Sequence, residues 1–348
     1  MPTSAFRIES AAALQMKKNL PTLILGIVLL AGLVAPLATG ASAPGFYVEV
    51  LLGGLMAGVL YSLVALGFAL IFKASGVFNF AQGAMVLFAA LAVARLAERM
   101  PLWAAMLIAT AIMIVLAMLI EKLVLRPLVN QEGVALLMAT LGVSYFLDGF
   151  GQTVWGSDIY KIELGIAKEP VMILERLFEG GILVNKEDFV ATIAAAALVA
   201  CLMLFFQKTA TGRALRAVAD DHQAAQSIGI PLNRIWVIVW SVAGIVALVA
   251  GVIWGSKLGV QFSLSQVALK ALPVVILGGF TSVAGAIVGG LIIGVGEKMA
   301  EVFLGPVLVK AFDLAGGGIE NWFAYVLALL FLLVRPEGLF GEKHIDRV

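Results

Sequence analysis

The sequence predicts an all-α integral membrane protein, a polytopic bundle of about eight to ten transmembrane or half-membrane helices. Three observations carry this. Of 348 residues, 62% are hydrophobic and 13% charged, with a mean hydropathy of +1.06. A soluble domain of this size carries about a quarter charged residues. Apolar segments recur along the whole chain, and two pairs of them are separated by short polar breaks that contain glycine. Such a break is costly in lipid unless it is buried in protein or lines a wet cavity.

The elements follow in order. Residues 1–19 form a polar tail with Arg7, Lys17 and Lys18. An apolar run from Leu20 to Ala38 precedes Ala41-Ser42-Ala43, the outline of a secretory signal with a small-residue cleavage site. The run is long for a signal and near the roughly 20 residues of a spanning helix. Pro44 directly follows the cleavage position, so an uncleaved first helix is expected. Further apolar segments cover about 48–72, 83–97, 102–120, 134–151, 189–207, 235–256, 268–279, 284–304 and 319–334. Segments 83–97 and 268–279 are short and read as half-helices or buried elements. No low-complexity tract divides the chain, so 20–335 is taken as one membrane domain, followed by a tail over 336–348.

Basic residues in short loops set orientation. Arg7, Lys17 and Lys18, the loop with Lys122 and Arg126, the loop 208–234 with Lys208, Arg213, Arg216 and Arg234, and the C-terminal Arg335, Lys343 and Arg347 all read as cytoplasmic. The acid-leaning insertion 152–188 then falls on the periplasmic side, as do Arg95 and Arg99, which run against the rule.

Three stretches carry chemistry. The first runs from Gly53 to Arg95 and is interrupted at Lys73-Ala74-Ser75-Gly76 and Asn79-Phe80-Ala81-Gln82-Gly83. The amides of Asn79 and Gln82 either face a translocation path or satisfy local backbone at a kink, and both readings stay open. The second is the loop from Thr211 to Arg234, with Gly212, Arg213, Arg216, Asp220 and Gly229. It reads as a short helix or pair of helices, with Gly229 in a C-cap position and Pro231 beyond. Leu215, Val218 and Ile228 make no continuous apolar stripe, so it is not expected to be a core helix; its small residues and terminal glycine suit docking to a partner, the alternative being a solvated connector that carries basic topology residues. The third is Ala271–Gly294, where Gly278, Gly279, Thr281 and Ser282 form a second break followed by a glycine-spaced helix. Two such breaks point to a substrate path. Glycine pairs four apart (Gly54 and Gly58, Gly251 and Gly255, Gly285 and Gly289, Gly290 and Gly294) suit close helix approach, and each alone is read as generic packing.

Several classes are excluded or disfavoured. One cysteine, Cys201, and two histidines rule out a disulfide framework and make a metal cluster improbable. The net charge of +1 gives no case for nucleic acid. There is no P-loop and no nucleophile elbow. Glu297 and Glu301 lie four apart beside Lys298 and are read as ending a helix near the outer interface.

Together, GLMAGVLYSLVALGFALIF, GVFNFAQG, GRALRAVADDHQAAQSIGI and LGGFTSVAGAIVGGLIIG resemble the inner-membrane permease subunit of branched-chain amino-acid ABC importers. They occur in the family's order over most of residues 50–296. The resemblance implies a type II importer permease fold and a second homologous permease. It also implies two cytoplasmic ATPase subunits that use the ATP, and a periplasmic binding protein. This chain itself would bind no cofactor and catalyse no reaction. Asn79, Phe80, Gln82 and Gly83, with the second break, would shape the path, and the Gly212–Gly229 loop would couple to the ATPase. Many members carry His at the position of Gln82 and Glu at that of Ala84, so no ionisable group is expected there. Relatives that move urea or short amides share these motifs. The competing classes are a stand-alone carrier or channel and, with least support, a membrane enzyme.

Overall fold

The computed structural model describes residues 43–341, apart from 77, 129–130, 168, 179–180, 221 and 314–317. The expected first helix, the N-terminal tail and residues 342–348 lie outside the described residues. The elements are α1 (Pro44–Ser75), α2 (Gln82–Ala97), α3 (Leu102–Leu119), α4 (Gly133–Trp155), β1 (Pro170–Ile173), β2 (Ile182–Asn185) and α5 (Lys186–Lys208). They continue with α6 (Ala210–Asp220), α7 (His222–Ser227), α8 (Leu232–Leu258), α9 (Val267–Lys270), α10 (Leu272–Gly278), α11 (Val283–Met299), α12 (Gly305–Phe312) and α13 (Ile319–Val334). Among the described residues, six helices are long and apolar enough to cross a membrane: Pro44–Ser75, Leu102–Leu128, Gly133–Trp155, Lys186–Lys208, Leu232–Leu258 and Val283–Phe312. Gln82–Ala97, Phe262–Gly278 and Ile319–Val334 are shorter apolar segments. The expected short elements are therefore present, and α2 is buried at every residue from Gln82 to Ala94. A helix that is apolar all round belongs inside a bundle.

α1 and α11 meet backbone to backbone. A Cβ on Gly54 would lie 2.8 Å from Val295 Cα, and one on Gly58 2.8 Å from Leu291 Cα. From the other side, Gly290 faces Ser62 and Gly58, and Gly294 faces Gly54 and Gly58. Two of the glycine pairs noted in the sequence thus face each other across one contact. Ser62 Oγ sits 2.7 Å from Gly58 O and 3.1 Å from Ile287 O, which adds a polar tie where the helices touch.

The bundle has two ends. At one, β1 and β2 pair antiparallel, Pro170 opposite Asn185, inside the 152–188 insertion. The Leu183 N–H donates to Glu49 of α1 at 3.1 Å, Tyr160 and Val260 form an isolated bridge, and Lys257 pairs with Asp188 at 2.6 Å. The hairpin was not anticipated from the sequence, because each strand has only four residues. At the opposite end lie α6 and α7. There the Trp236 indole N–H donates to Ala74 O at 3.0 Å and ties α8 to the last turn of α1.

Two expectations change. Lys122 and Arg126 do not sit in a loop. Ile120–Leu125 continues α3 as a π-helical turn and Arg126–Leu128 as a 3₁₀ turn. Arg126 grips the fully buried Glu121 with two hydrogen bonds, of 2.7 and 3.1 Å. That pair holds the helix together past the point where charge had suggested a stop. Likewise α6 is not peripheral: Leu215 and Val218 are buried in the main core. Their three-residue spacing puts both on one face, a stripe too short to mark a buried helix from sequence alone.

Replacing Gly58 by Leu should force the α1–α11 contact apart, at a cost of about 1–3 kcal/mol for overpacking. Gly53 has nothing within 4 Å of its added Cβ. Gly53→Leu should therefore melt as the wild type does in detergent, while Gly58→Leu melts lower. Equal melting of the two variants would contradict the close contact.

Candidate functional site: two polar breaks and a docking loop

The first break begins where α1 ends. Gly76 takes a left-handed conformation (φ 66°) and its N–H bonds back to Phe72 O, so the helix is capped by the residue type that does this without strain. The chain then turns through Asn79. Asn79 Oδ1 accepts the Ala81 N–H at 3.1 Å and its amide donates to Gln82 Oε1 at 3.3 Å. Both side chains are fully buried. Asn79 thus satisfies local backbone, and the Gln82 carbonyl serves as acceptor for the Asn79 amide. Gln82 Nε2 is buried and has no hydrogen-bond partner among the described residues. It rests against Gly67 of α1, whose missing side chain makes the room.

Thr140 of α4 was not singled out from sequence, yet it closes this turn. It is fully buried, its hydroxyl lies 3.2 Å from Phe78 O, and it accepts the Phe80 N–H at 3.4 Å. A lone threonine in an apolar helix carries no sequence signal of such a role. Gly83 is needed for a different reason. A Cβ there would collide with Ser265 O and lie 3.1 Å from Ala268 Cβ, so α2 can start only where the Phe262–Gln266 turn passes close.

The second break lies beside the first. Phe280 packs its ring 5.3 Å from Phe72 and 5.9 Å from Phe78, and Phe78 stacks on Phe68 at 5.1 Å and meets Phe80 edge-on at 4.6 Å. An aromatic cluster therefore bridges the two breaks. Gly278 packs against the backbone of Gly285, and Gly279 (φ 102°) lies against Gly341, 2.7 Å from a built Cβ to its N. Ser282 caps α11, accepting the Gly285 N–H at 2.9 Å.

The 208–234 loop is tied to the same region. Thr209 accepts the Gly212 N–H at 3.1 Å and starts α6. Arg216 donates to Phe206 O at 2.7 Å, and Arg213 is exposed, its Nη1 3.4 Å from Lys208 O. Asp220 closes α6 in the backbone. Gly229 (φ 84°) is followed by the Ile230 N–H bonding to Ala225 O at 3.0 Å, with its own N–H on Gln226 O at 2.9 Å. This is the six-to-one and five-to-two pattern that ends a helix on glycine, as expected. Gly212, Arg216, Thr281 and Ser282 line one cavity of about 230 Å³. The structure therefore brings the second break and the 208–234 loop together, and leaves Asn79 and Gln82 fully buried and off the cavity wall.

A separate polar cluster lies toward the hairpin end. Glu297 is buried, accepts the Tyr61 hydroxyl at 3.0 Å and sits 3.5 Å from Lys270 Nζ. Tyr61 stacks on Trp254 with centroids 5.9 Å apart. Glu301 instead pairs with Lys298 at 2.7 Å. The two glutamates thus have different partners, because one faces α1 and the other does not. Among the described residues no group of three or more His, Cys, Asp or Glu side chains is placed to hold a metal.

Residues 50–335 match the family described as "Branched-chain amino acid transport system / permease component". The chain is 28% identical over 327 residues to the high-affinity branched-chain amino acid transport system permease protein LivH of Salmonella typhimurium, covering 87% of this chain and 98% of that one. It is 26% identical over 314 residues to the corresponding protein BraD of Pseudomonas aeruginosa, with the same coverage of 87% and 98%. Among solved structures, PsaBC from Streptococcus pneumoniae in complex with Fab superposes with a TM-score of 0.45 at 15% identity, over 84% of this chain and 94% of that one. With a family match that spans most of the chain and membrane-length helices that fill it, the protein belongs to the branched-chain amino acid ABC transporter permease family, as a multi-pass membrane subunit.

Proposed function

We propose that this chain moves branched-chain amino acids from periplasm to cytoplasm by alternating access, driven by two ATPase subunits that bind at α6 and α7. A second homologous permease completes the membrane unit, and a periplasmic binding protein delivers substrate at the hairpin end. The ATP is used by the partners, and this chain binds no cofactor. Both termini lie in the cytoplasm in this arrangement. The names of the relatives support the substrate class.

The observation that carries the coupling assignment is the two-sided character of the docking loop. Leu215 and Val218 are buried in the bundle, so a push on α6 reaches the membrane helices. Meanwhile Ile228 is 75% exposed and Gly229 beside it has open space around it. A large apolar side chain exposed at a helix end, next to a glycine, suits insertion into a partner's groove. The path is assigned to the two breaks, Asn79 to Gly83 and Gly278 to Ser282. A zwitterionic substrate is met there by amides, backbone groups and helix ends. The unpaired amide N–H₂ of Gln82 is the donor that would become available to substrate when the aromatic cluster opens.

Three outcomes test this. Uptake reconstituted with the cognate binding protein should favour leucine and valine over urea and short amides, and the reverse preference would overturn the substrate assignment. Ile228→Asp should leave the chain folded in the membrane but retain several-fold less ATPase on co-purification and lower uptake to match. Full retention of an ATP-hydrolysing partner would remove Ile228 from the interface. Gln82→Met keeps the volume but removes both the unpaired donor and the acceptor of the buried Asn79 amide, so stability should fall by about 1–3 kcal/mol, and uptake is scored per folded chain in the membrane. Uptake should nonetheless fall, and unchanged uptake would make Gln82 a packing residue alone.

A further inference from the structure

We propose that the cavity between α1, α6 and the second break binds a phosphate group, either that of an acidic phospholipid or free phosphate. Its volume is about 230 Å³, and Lys73 at the end of α1 and Arg216 on α6 both line it. Among the described residues no carboxylate lines it. Among the described residues Lys73 forms neither a hydrogen bond nor an ion pair, and the Thr281 hydroxyl, also on the wall, has no hydrogen-bond partner. Arg216 uses one donor on Phe206 O at 2.7 Å, which fixes the guanidinium at the cavity and leaves the remaining donors of its fork.

Two cations and a hydroxyl converging on one concave site, with no acid among the described residues to neutralise them, select an anion with several acceptor oxygens. Phosphate answers that description, and arginine's planar donor set matches it in geometry. The start of α11 adds to the field. Ser282 Oγ takes the Gly285 N–H, while the N–H groups of Val283 and Ala284, both on the wall, belong to the first turn and have no intrahelical acceptor. The cations make the site, and these amides add donors to it. Lys208, Arg213 and Arg234 are exposed at the same end of the bundle, where basic pockets between membrane helices meet anionic headgroups. A phosphate seated here would contact α1, α6 and the first turn of α11 at once.

The test uses the purified full chain in detergent, stripped of lipid, with phosphatidylglycerol, phosphatidylcholine or inorganic phosphate added, and bound species counted by native mass spectrometry. The wild type should bind phosphatidylglycerol about tenfold more tightly than phosphatidylcholine. That preference should vanish in the double variant Lys73→Gln with Arg216→Gln. It should vanish too in Thr281→Asp, which keeps both cations and places a carboxylate in the cavity. Lys122→Gln, exposed in the chain segment before α4 and outside the cavity, should keep it. Inorganic phosphate that displaces phosphatidylglycerol would identify free phosphate as a ligand, while failure to displace it would assign the site to the lipid headgroup. Equal binding of the two lipids, or wild-type preference in the double variant and in Thr281→Asp, would overturn the proposal. The readout is binding and not uptake, so it stands or falls apart from the transport assignment.

Discussion

The contact between α1 and α11 governs what else the bundle can do. Gly54 and Gly58 on one helix and Gly290 and Gly294 on the other let two backbones approach to a distance that no side chain would permit. In a membrane, helices gain little from hiding apolar surface from lipid, so close packing and polar ties must hold them. Ser62 supplies such a tie at this contact. Because α1 runs into the first break and α11 begins at the second, this contact also brings the two breaks side by side.

Once adjacent, the breaks must satisfy the backbone groups they free. They do so with neutral means. Gly76 and Gly279 adopt conformations that other residues rarely take, Asn79 and Ser282 accept backbone N–H groups, and Thr140 reaches across from α4. The ring of Phe280 then fills the space against Phe72 and Phe78. The buried carboxylates lie elsewhere, Glu297 with Lys270 and Tyr61 toward the hairpin end and Glu121 with Arg126 at the end of α3. A charge at membrane depth is tolerated when it has a partner, and both of these carboxylates do.

The 208–234 loop shows how a weak sequence pattern can become structural. Three-residue spacing of Leu215 and Val218 is too little to predict a buried helix. It suffices because Gly212 lets α6 start hard against Phe206, and the short helix then lies where its inner face is covered by the bundle. The same placement sets Arg216 opposite Lys73 and Thr281 and so creates a basic cavity from three distant parts of the chain.

Composition and periodicity by themselves determined the membrane class, the positions of the apolar helices, the two short buried segments, both breaks and the glycine that ends α7. These are local properties, since hydrophobic length, glycine and capping chemistry act within a few residues. Tertiary structure alone decided the rest. It chose which glycine pairs face each other, gave Gln82 an unpaired donor against Gly67, and recruited Thr140 to the first turn. It also turned Glu297 inward while leaving Glu301 with Lys298. Each of these depends on residues far apart in the chain. A lone threonine or glutamate in an apolar helix has no local signature of the helix it will meet, and partners are settled only when the backbones pack.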